Sequence, residues 1–295
     1  MKIVVIGGTG KVGEELDNFY APIGNDITFL TRRPLASDSK HIIIDPLDKK
    51  AVKDELYKIQ PSVVINSIAY NNVDGAEENH REAMMLNAHL PEYLASICKV
   101  LDCHFITYST DYIFDGESGP YAEDALPNPI NYYGKTKLTG ENMARIVWNK
   151  TSILRTNVVY GFSSYLHNDF SGWVRDNLEQ ETQIRVIEGQ YSNPTYVGDI
   201  AFMTHKIAES GSYGIYNLGG SDYLNKYELA LKVTEVHDLN KKLIKPIKPS
   251  ELNQKAVRPE RGGLDNFKVS NMFSFKFASF QDGLEAIRHK EKDLI

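Results

Sequence analysis

Two groups of residues in this sequence have the types and spacing to do chemistry. Tyr133 and Lys137 stand four residues apart in Tyr133-Gly134-Lys135-Thr136-Lys137. On a helix, residues i and i+4 share a face, so Lys137 would lie beside the Tyr133 phenol. A neighbouring ammonium favours phenolate and lowers the tyrosine pKa, which would make Tyr133 an acid/base near neutral pH. Tyr132 has Thr136 at the equivalent spacing and is not the candidate. The second group is Gly7-Gly8-Thr9-Gly10-Lys11-Val12-Gly13, placed directly after the apolar run Ile3-Val4-Val5-Ile6 and opening a helix. Glycines at 7, 10 and 13 permit a tight turn, a close approach of backbone N–H groups to a pyrophosphate, and close packing of helix on strand. The loop therefore reads as a dinucleotide site. At the end of the second strand stand Thr31-Arg32-Arg33, with no carboxylate to meet a ribose 2′-hydroxyl. Guanidinium pairs with phosphate in bidentate fashion, so NADPH is expected over NADH.

The elements that must position these groups follow from the apolar pattern. Asp26–Leu30, His41–Ile44, Ser62–Ile65, His104–Tyr108 and Ser152–Arg155 repeat the theme of the first run, and helix-like stretches lie between them at Lys11–Tyr20, Lys49–Ile59, Arg81–Leu101 and Asn131–Trp148. Strands alternating with helices indicate βαβ units. The fold class is α/β: a Rossmann-type doubly wound parallel sheet with a smaller, discontinuous C-terminal substrate domain. Further strands are expected at Ile184–Ile187 and Gly214–Leu218, and helices at Lys226–His237 and from Ser270 onward. This assigns residues 1–157 and about 184–218 to the cofactor domain, and about 158–183 and 219–295 to the substrate domain.

Composition narrows the function. The 295 residues carry 33 Lys+Arg against 39 Asp+Glu, a net charge of −6, which argues against coating nucleic-acid phosphates. Cys98 and Cys103 cannot supply a disulfide framework or a four-ligand zinc site. The eight histidines form no H-x-x-x-H pair, so no metal-ligand set can be mapped onto them. No apolar stretch approaches the roughly 20 residues that cross a bilayer. Met1-Lys2 runs straight into the first strand without a signal peptide, and a cytoplasmic protein is expected.

The three-residue glycine spacing resembles the short-chain dehydrogenase/reductase superfamily, in its extended, sugar-nucleotide-modifying branch. Ser109-Thr110-Asp111-Tyr112-Ile113-Phe114-Asp115-Gly116 and Asn131-Tyr132-Tyr133-Gly134-Lys135-Thr136-Lys137 resemble the dTDP-4-dehydrorhamnose reductases, as do Val73-Asp74-Gly75-Ala76-Glu77, Leu86-Asn87-Ala88, Arg155-Thr156, Pro194-Thr195 and Arg258-Pro259. The resemblance implies hydride transfer from NADPH to a sugar carbonyl, with Thr110 hydrogen-bonding the carbonyl and Tyr133 protonating the developing alkoxide. Lys137 would also bond the nicotinamide ribose. For the cofactor it implies Gly7, Thr9, Gly10, Lys11, Val12 and Gly13 at the phosphates, and Arg32, Arg33 and Asp45 at the adenosine end. Ser67, Ala69, Tyr70 and Asn87 would lie along its length. Asp111, Asn157 and Arg258 would meet a nucleotide-sugar substrate. A homodimer is a further expectation, as is magnesium without mapped ligands.

The same stretch differs from related branches. The 4,6-dehydratases follow the threonine with Asp-Glu, where this chain has Asp111-Tyr112. The GDP-fucose synthases use a cysteine near this strand, where neither Cys98 nor Cys103 falls. The reductases continue Arg-Thr with Ser-Trp, whereas this chain has Asn157-Val158. Two alternatives remain open: a catalytically weak regulatory subunit similar to the β subunit of methionine adenosyltransferase, and a nucleotide-sugar epimerase.

Overall fold

Val, Ile and Phe dominate the first strands, and those strands are buried on both faces, as parallel strands covered by helices must be. The computed structural model describes residues 1–293 except 25, 36, 38, 166–168 and 253. The first half runs β1 (Lys2–Ile6), α1 (Lys11–Tyr20), β2 (Asp26–Thr31), β3 (His41–Ile43), α2 (Lys49–Ile59) and β4 (Val63–Asn66). It continues through α3 (Val73–Ala76), α4 (His80–Met84), α5 (Leu90–Leu101), β5 (His104–Thr110), α6 (Tyr132–Val147) and β6 (Thr151–Thr156). The second half adds α7 (Phe170–Glu179), β7 (Ile184–Ile187), α8 (Val197–Ser210), β8 (Gly214–Leu218), α9 (Lys226–His237), β9 (Ile244–Ile247), α10 (Phe267–Phe273) and α11 (Phe280–Asp293).

Seven strands form one parallel sheet in the order β3-β2-β1-β4-β5-β6-β8, the doubly wound arrangement of a Rossmann fold. One face packs on α1 and α8 through Leu16, Tyr20, Ile200, Met203 and Ile207. The other packs on α2, α5 and α6 through Val52, Leu56, Leu90, Leu94 and Ala144. The strand order reverses beside β1 and β4, and ligands bind at such a switch point, outside the carboxyl ends of the strands.

Two expectations change. Ile184–Ile187 does form a strand, but it pairs in parallel with Ile244–Ile247 as a separate two-stranded sheet instead of extending the cofactor side. Ile184, Val186 and Ile244 join a third core with Val174 and Leu178 of α7, Leu229 and Val233 of α9, and Phe280 and Leu284 of α11. The segment from 184 to 187 thus belongs with the C-terminal elements, because its apolar side chains are buried among theirs. The expected helix Arg81–Leu101 is divided into α4, a π turn at Met85–His89, and α5 with Pro91 in its first turn. Proline lacks an N–H and fits the first turn of a new helix, so it marks a restart. Among the described residues, no helix is long and apolar enough to cross a membrane.

Candidate active site

Thr110 ends β5, and its hydroxyl accepts from the Tyr112 N–H at 3.2 Å, turning the chain sharply away from the sheet. Helix α6 begins against this turn. Asn131 caps it by accepting from the Gly134 N–H at 2.8 Å and donates its amide to the Val257 carbonyl at 2.9 Å. Gly134 permits the contact, since a Cβ there would lie 2.1 Å from the Tyr112 carbonyl oxygen. That close approach sets Tyr133 beside Thr110, near enough for the threonine hydroxyl to act on the phenol. One turn further along α6, the Lys137 ammonium donates to the Tyr108 carbonyl at 2.7 Å, which locks it against β5. Arg155 of β6 makes a bidentate pair with Glu141 of α6, with both side chains 2% exposed, and fixes the helix to the sheet.

Thr110, Tyr133 and Lys137 therefore meet, and they open on a cleft of about 750 Å³ that also receives the glycine loop. The acid–base tuning differs from the sequence expectation. Burial pushes the Tyr133 phenol up to about 12, partly offset by the neighbouring Thr110 hydroxyl. Burial likewise pushes Lys137 down to about 8, against the pull of Glu141. Removal from water disfavours the charged form of each. A phenol held in its protonated form is suited to donating a proton rather than to accepting one.

The glycine loop has the shape that a dinucleotide needs. Gly7 has φ +94°, and a Cβ there would lie 2.6 Å from Ile68 Cγ1. Gly10 caps α1 with no side-chain acceptor, so the first-turn N–H groups and the positive helix end are left for an anion. A Cβ on Gly13 would lie 2.2 Å from the Gly7 carbonyl oxygen, so this glycine serves helix–loop packing behind the cleft. Gly7, Thr9, Gly10, Lys11, Val12, Arg32, Arg33, Asp45, Ser67 and Ala69 all line the cleft. Two cleft residues, Ser109 and Asn157, carry buried oxygens with no partner, Oγ and Oδ1 respectively. Those orphaned acceptors and the uncapped helix end fit a bound nicotinamide dinucleotide.

Other expected residues sit elsewhere. Asn87 is buried behind the cleft, where its amide clamps the Tyr70 backbone at 2.8 and 3.0 Å and donates to Thr136 Oγ1 at 2.9 Å. It positions the Tyr70 segment against α6. Arg258 is held by Asp74 at 2.8 and 3.0 Å, so its guanidinium is engaged within the protein. That contact pulls the Asp74 carboxyl down to about 2. Asp111 is buried, accepting from the Gly263 N–H at 3.0 Å and from the Thr110 hydroxyl at 3.3 Å. Asn157 lines the cleft and donates to Asn193 Oδ1 at 2.7 Å, and the next residue, Val158, has φ +35°.

Two residues that sequence reasoning passed over stand out. Asp169 caps α7, lines the same cleft and pairs with Lys11 at 3.1 Å, tying the glycine-loop helix to α7. The Asp-Phe-Ser-Gly start of α7 is a capping signal that could have flagged it. Lys226 opens α9 with its ammonium 4.9 Å from the Phe170 ring centroid and close enough to Asp111 to influence it. Nothing in the local sequence marks it. Among the described residues, no group of three or more His, Cys, Asp or Glu side chains is arranged to hold a metal, so magnesium finds no donor set there; His167 lies outside the described residues.

The sheet, the glycine loop at its switch point and the Thr–Tyr–Lys set define an NAD(P)-dependent oxidoreductase of the extended short-chain dehydrogenase/reductase class. Comparison sharpens this. A family profile described as RmlD substrate binding domain matches residues 1–292, and the chain belongs to that family. It is 32% identical over 247 residues to the probable low-salt glycan biosynthesis reductase Agl14 of Haloferax volcanii, covering 83% of this chain and 82% of the relative. It is 30% identical over 244 residues to methionine adenosyltransferase 2 subunit beta of Xenopus laevis, covering 81% and 73%. The crystal structure of dTDP-4-dehydrorhamnose reductase from Bacillus anthracis in complex with NADP superposes with a TM-score of 0.90 at 26% identity, covering 98% of this chain and all of that one.

Proposed function

We propose that the protein reduces the 4-keto group of a nucleotide-activated 6-deoxy sugar with NADPH, as the enzyme of a deoxysugar pathway. One observation carries the reading: Thr110, Tyr133 and Lys137 converge on the same cleft as the glycine loop. The phosphates of the dinucleotide would lie on the backbone of Gly7 to Val12 and the positive end of α1. Arg32 and Arg33, exposed at the cleft edge, would take the 2′-phosphate of NADPH. When bound, the cofactor supplies a hydride.

The chain's own residues do the rest. Thr110 fixes the carbonyl oxygen by a hydrogen bond. Tyr133, protonated at neutral pH, delivers its proton to that oxygen as negative charge develops. Lys137, anchored on the Tyr108 carbonyl, supplies positive charge on the phenol's face of α6. A relative named as a glycan biosynthesis reductase and a structural neighbour named as a dTDP-4-dehydrorhamnose reductase with NADP support this substrate class. A homodimer and a cytoplasmic location are part of the same proposal, and light scattering on the eluted protein checks the former.

The test is NADPH oxidation with dTDP-4-dehydrorhamnose, run beside NADH. Turnover with a preference for NADPH is expected; no oxidation with this or any related 4-keto sugar overturns the reading. A second reading, a regulatory subunit, is favoured by the match to methionine adenosyltransferase 2 subunit beta. On that reading this chain would bind NADPH without consuming it.

A further inference from the structure

The first turns of α1 carry Lys11, Glu14 and Glu15, a spacing of three and four that puts them on one helix face. All three side chains reach across to segments that follow β6. The Lys11 ammonium donates to the Gly161 carbonyl and pairs with Asp169 Oδ2 at 3.1 Å. Glu14 accepts from the Ser163 hydroxyl at 2.6 Å and from the Ser164 N–H at 2.9 Å. Glu15 accepts from the Lys290 ammonium of α11 at 2.7 Å.

Asp169 closes the Lys11 contact into a ring. Its Oδ2 also accepts from the Gly161 N–H at 3.0 Å, so Lys11, Asp169 and Gly161 each bond the other two. Oδ1 accepts from the Ser171 and Gly172 N–H groups at 3.0 and 3.1 Å, which seats the carboxylate on the start of α7. Gly161 offers both backbone groups because its bare Cα presses on α8, where a Cβ would lie 2.2 Å from Val197 Cγ1. Both charged side chains are sheltered, Lys11 at 14% and Asp169 at 15% exposure.

The ring fixes one wall of the cleft. The chain leaves β6 at Thr156, which pairs in register with Thr110 of β5. Asn157, Val158, Val159 and then Asp169 line the same cleft as Thr110 and Tyr133. The Lys11 charge, by contrast, is committed. Two of its three N–H donors are taken, and a carboxylate at 3.1 Å makes the ammonium half of a dipole, whose pull on a further anion is weak. The loop amides and the positive end of α1 are left to hold the dinucleotide phosphates.

We propose that Lys11 is a positioning residue for the sugar and not a phosphate ligand: through Asp169 and Gly161 it sets the distance of that wall from Thr110 and Tyr133. The inference rests on the reductase reading. One residue of the glycine loop thus serves both halves of the reaction, its backbone facing the cofactor and its side chain aligning the substrate side.

The test compares wild-type protein with Lys11→Met, with Asp169→Asn, which keeps an oxygen able to cap α7, and with the double variant. NADPH titration by fluorescence needs no sugar, and its Kd should stay within about twofold in all three. Kinetics with dTDP-4-dehydrorhamnose at saturating NADPH should show a sugar KM raised about tenfold in each single variant, with kcat changed less. The double variant should be no worse than either single one, because both remove the same contact. NADPH binding weakened as much as sugar KM in Lys11→Met, an unchanged sugar KM in the single variants, or additive losses in the double variant overturns the proposal. Should Lys11→Met fail to fold, Asp169→Asn carries the same comparison. If wild-type protein consumes no NADPH with any 4-keto sugar, the reductase reading fails and takes the sugar role with it, while the NADPH titration still decides whether Lys11 holds the phosphates.

Discussion

Two glycines three residues apart in the same loop should fail in opposite ways when replaced by alanine. Gly10 has φ −96°, and nothing lies within 4 Å of a Cβ built on it, so the new methyl projects into the cleft. The slightly poorer cap and the stiffer unfolded chain offset each other, and the melting temperature should hold within about 1 °C. The methyl would occupy the space where the pyrophosphate meets the helix end. Disrupting one charge-assisted hydrogen bond costs about 1.5–3 kcal/mol, or roughly 10- to 150-fold in the Kd for NADPH.

Gly13 is the converse. Its Cβ would lie 2.2 Å from the Gly7 carbonyl oxygen and 2.9 Å from Gly8 Cα, both backbone atoms that no rotamer change can move. Overpacking of this kind costs about 1–3 kcal/mol. At about 2.1 cal/mol/K per residue over 295 residues, the unfolding entropy is about 0.6 kcal/mol/K, so Tm should fall by roughly 2–5 °C. Thermal melts and NADPH titration by fluorescence read the two effects separately. Equal Tm losses in both variants, or undiminished NADPH affinity in Gly10→Ala, would refute the assignment of one glycine to the ligand and the other to packing.

Further outcomes concern the groups behind the site. Glu141→Gln should leave the Arg155 guanidinium buried without its carboxylate, costing about 3–5 kcal/mol and roughly 5–8 °C in Tm; a smaller loss would mean that the pair contributes little. Asp111→Asn should stabilise the protein at pH 7.5 by up to about 3 kcal/mol and leave it unchanged near pH 4. The sign follows from a folded pKa of about 6, above the ordinary carboxylate value: the native state favours the neutral form, so the Asp111 contribution is full below pH 4 and is lost as pH rises through 6. Urea melts at both pH values check it, and equal midpoints at pH 7.5 would contradict the burial argument.

Local signals were legible and long-range ones were not. Helices α1 and α2 begin and end where the apolar periodicity and the flanking turns place them, because those boundaries are set within the helices themselves. The strand Ile184–Ile187 was visible as an apolar run, but such a run does not name its partner. Its pairing with β9 and burial under α9 and α11 come from residues 40 or more positions away. The meeting of Thr110 with Tyr133 was implied by the family resemblance, whereas its cause, the bare Gly134 pressed on Tyr112, depends on a tertiary contact. Arg258 carried a sequence signal, and the carboxylate that holds it, Asp74, lies in α3. Helical spacing reports which residues share a face but not how deeply that face is buried, and it is burial that raises the Tyr133 phenol and lowers Lys137.

The most direct measurement of the central reading is stopped-flow NADPH consumption with dTDP-4-dehydrorhamnose, comparing wild-type protein with Tyr133→Phe at matched NADPH occupancy. Loss of the phenolic proton donor should lower the single-turnover rate about 10²- to 10⁴-fold. The NADPH Kd should stay within about twofold. A Tyr133→Phe variant that reduces the sugar at the wild-type rate would contradict the assignment of Tyr133 as the proton donor.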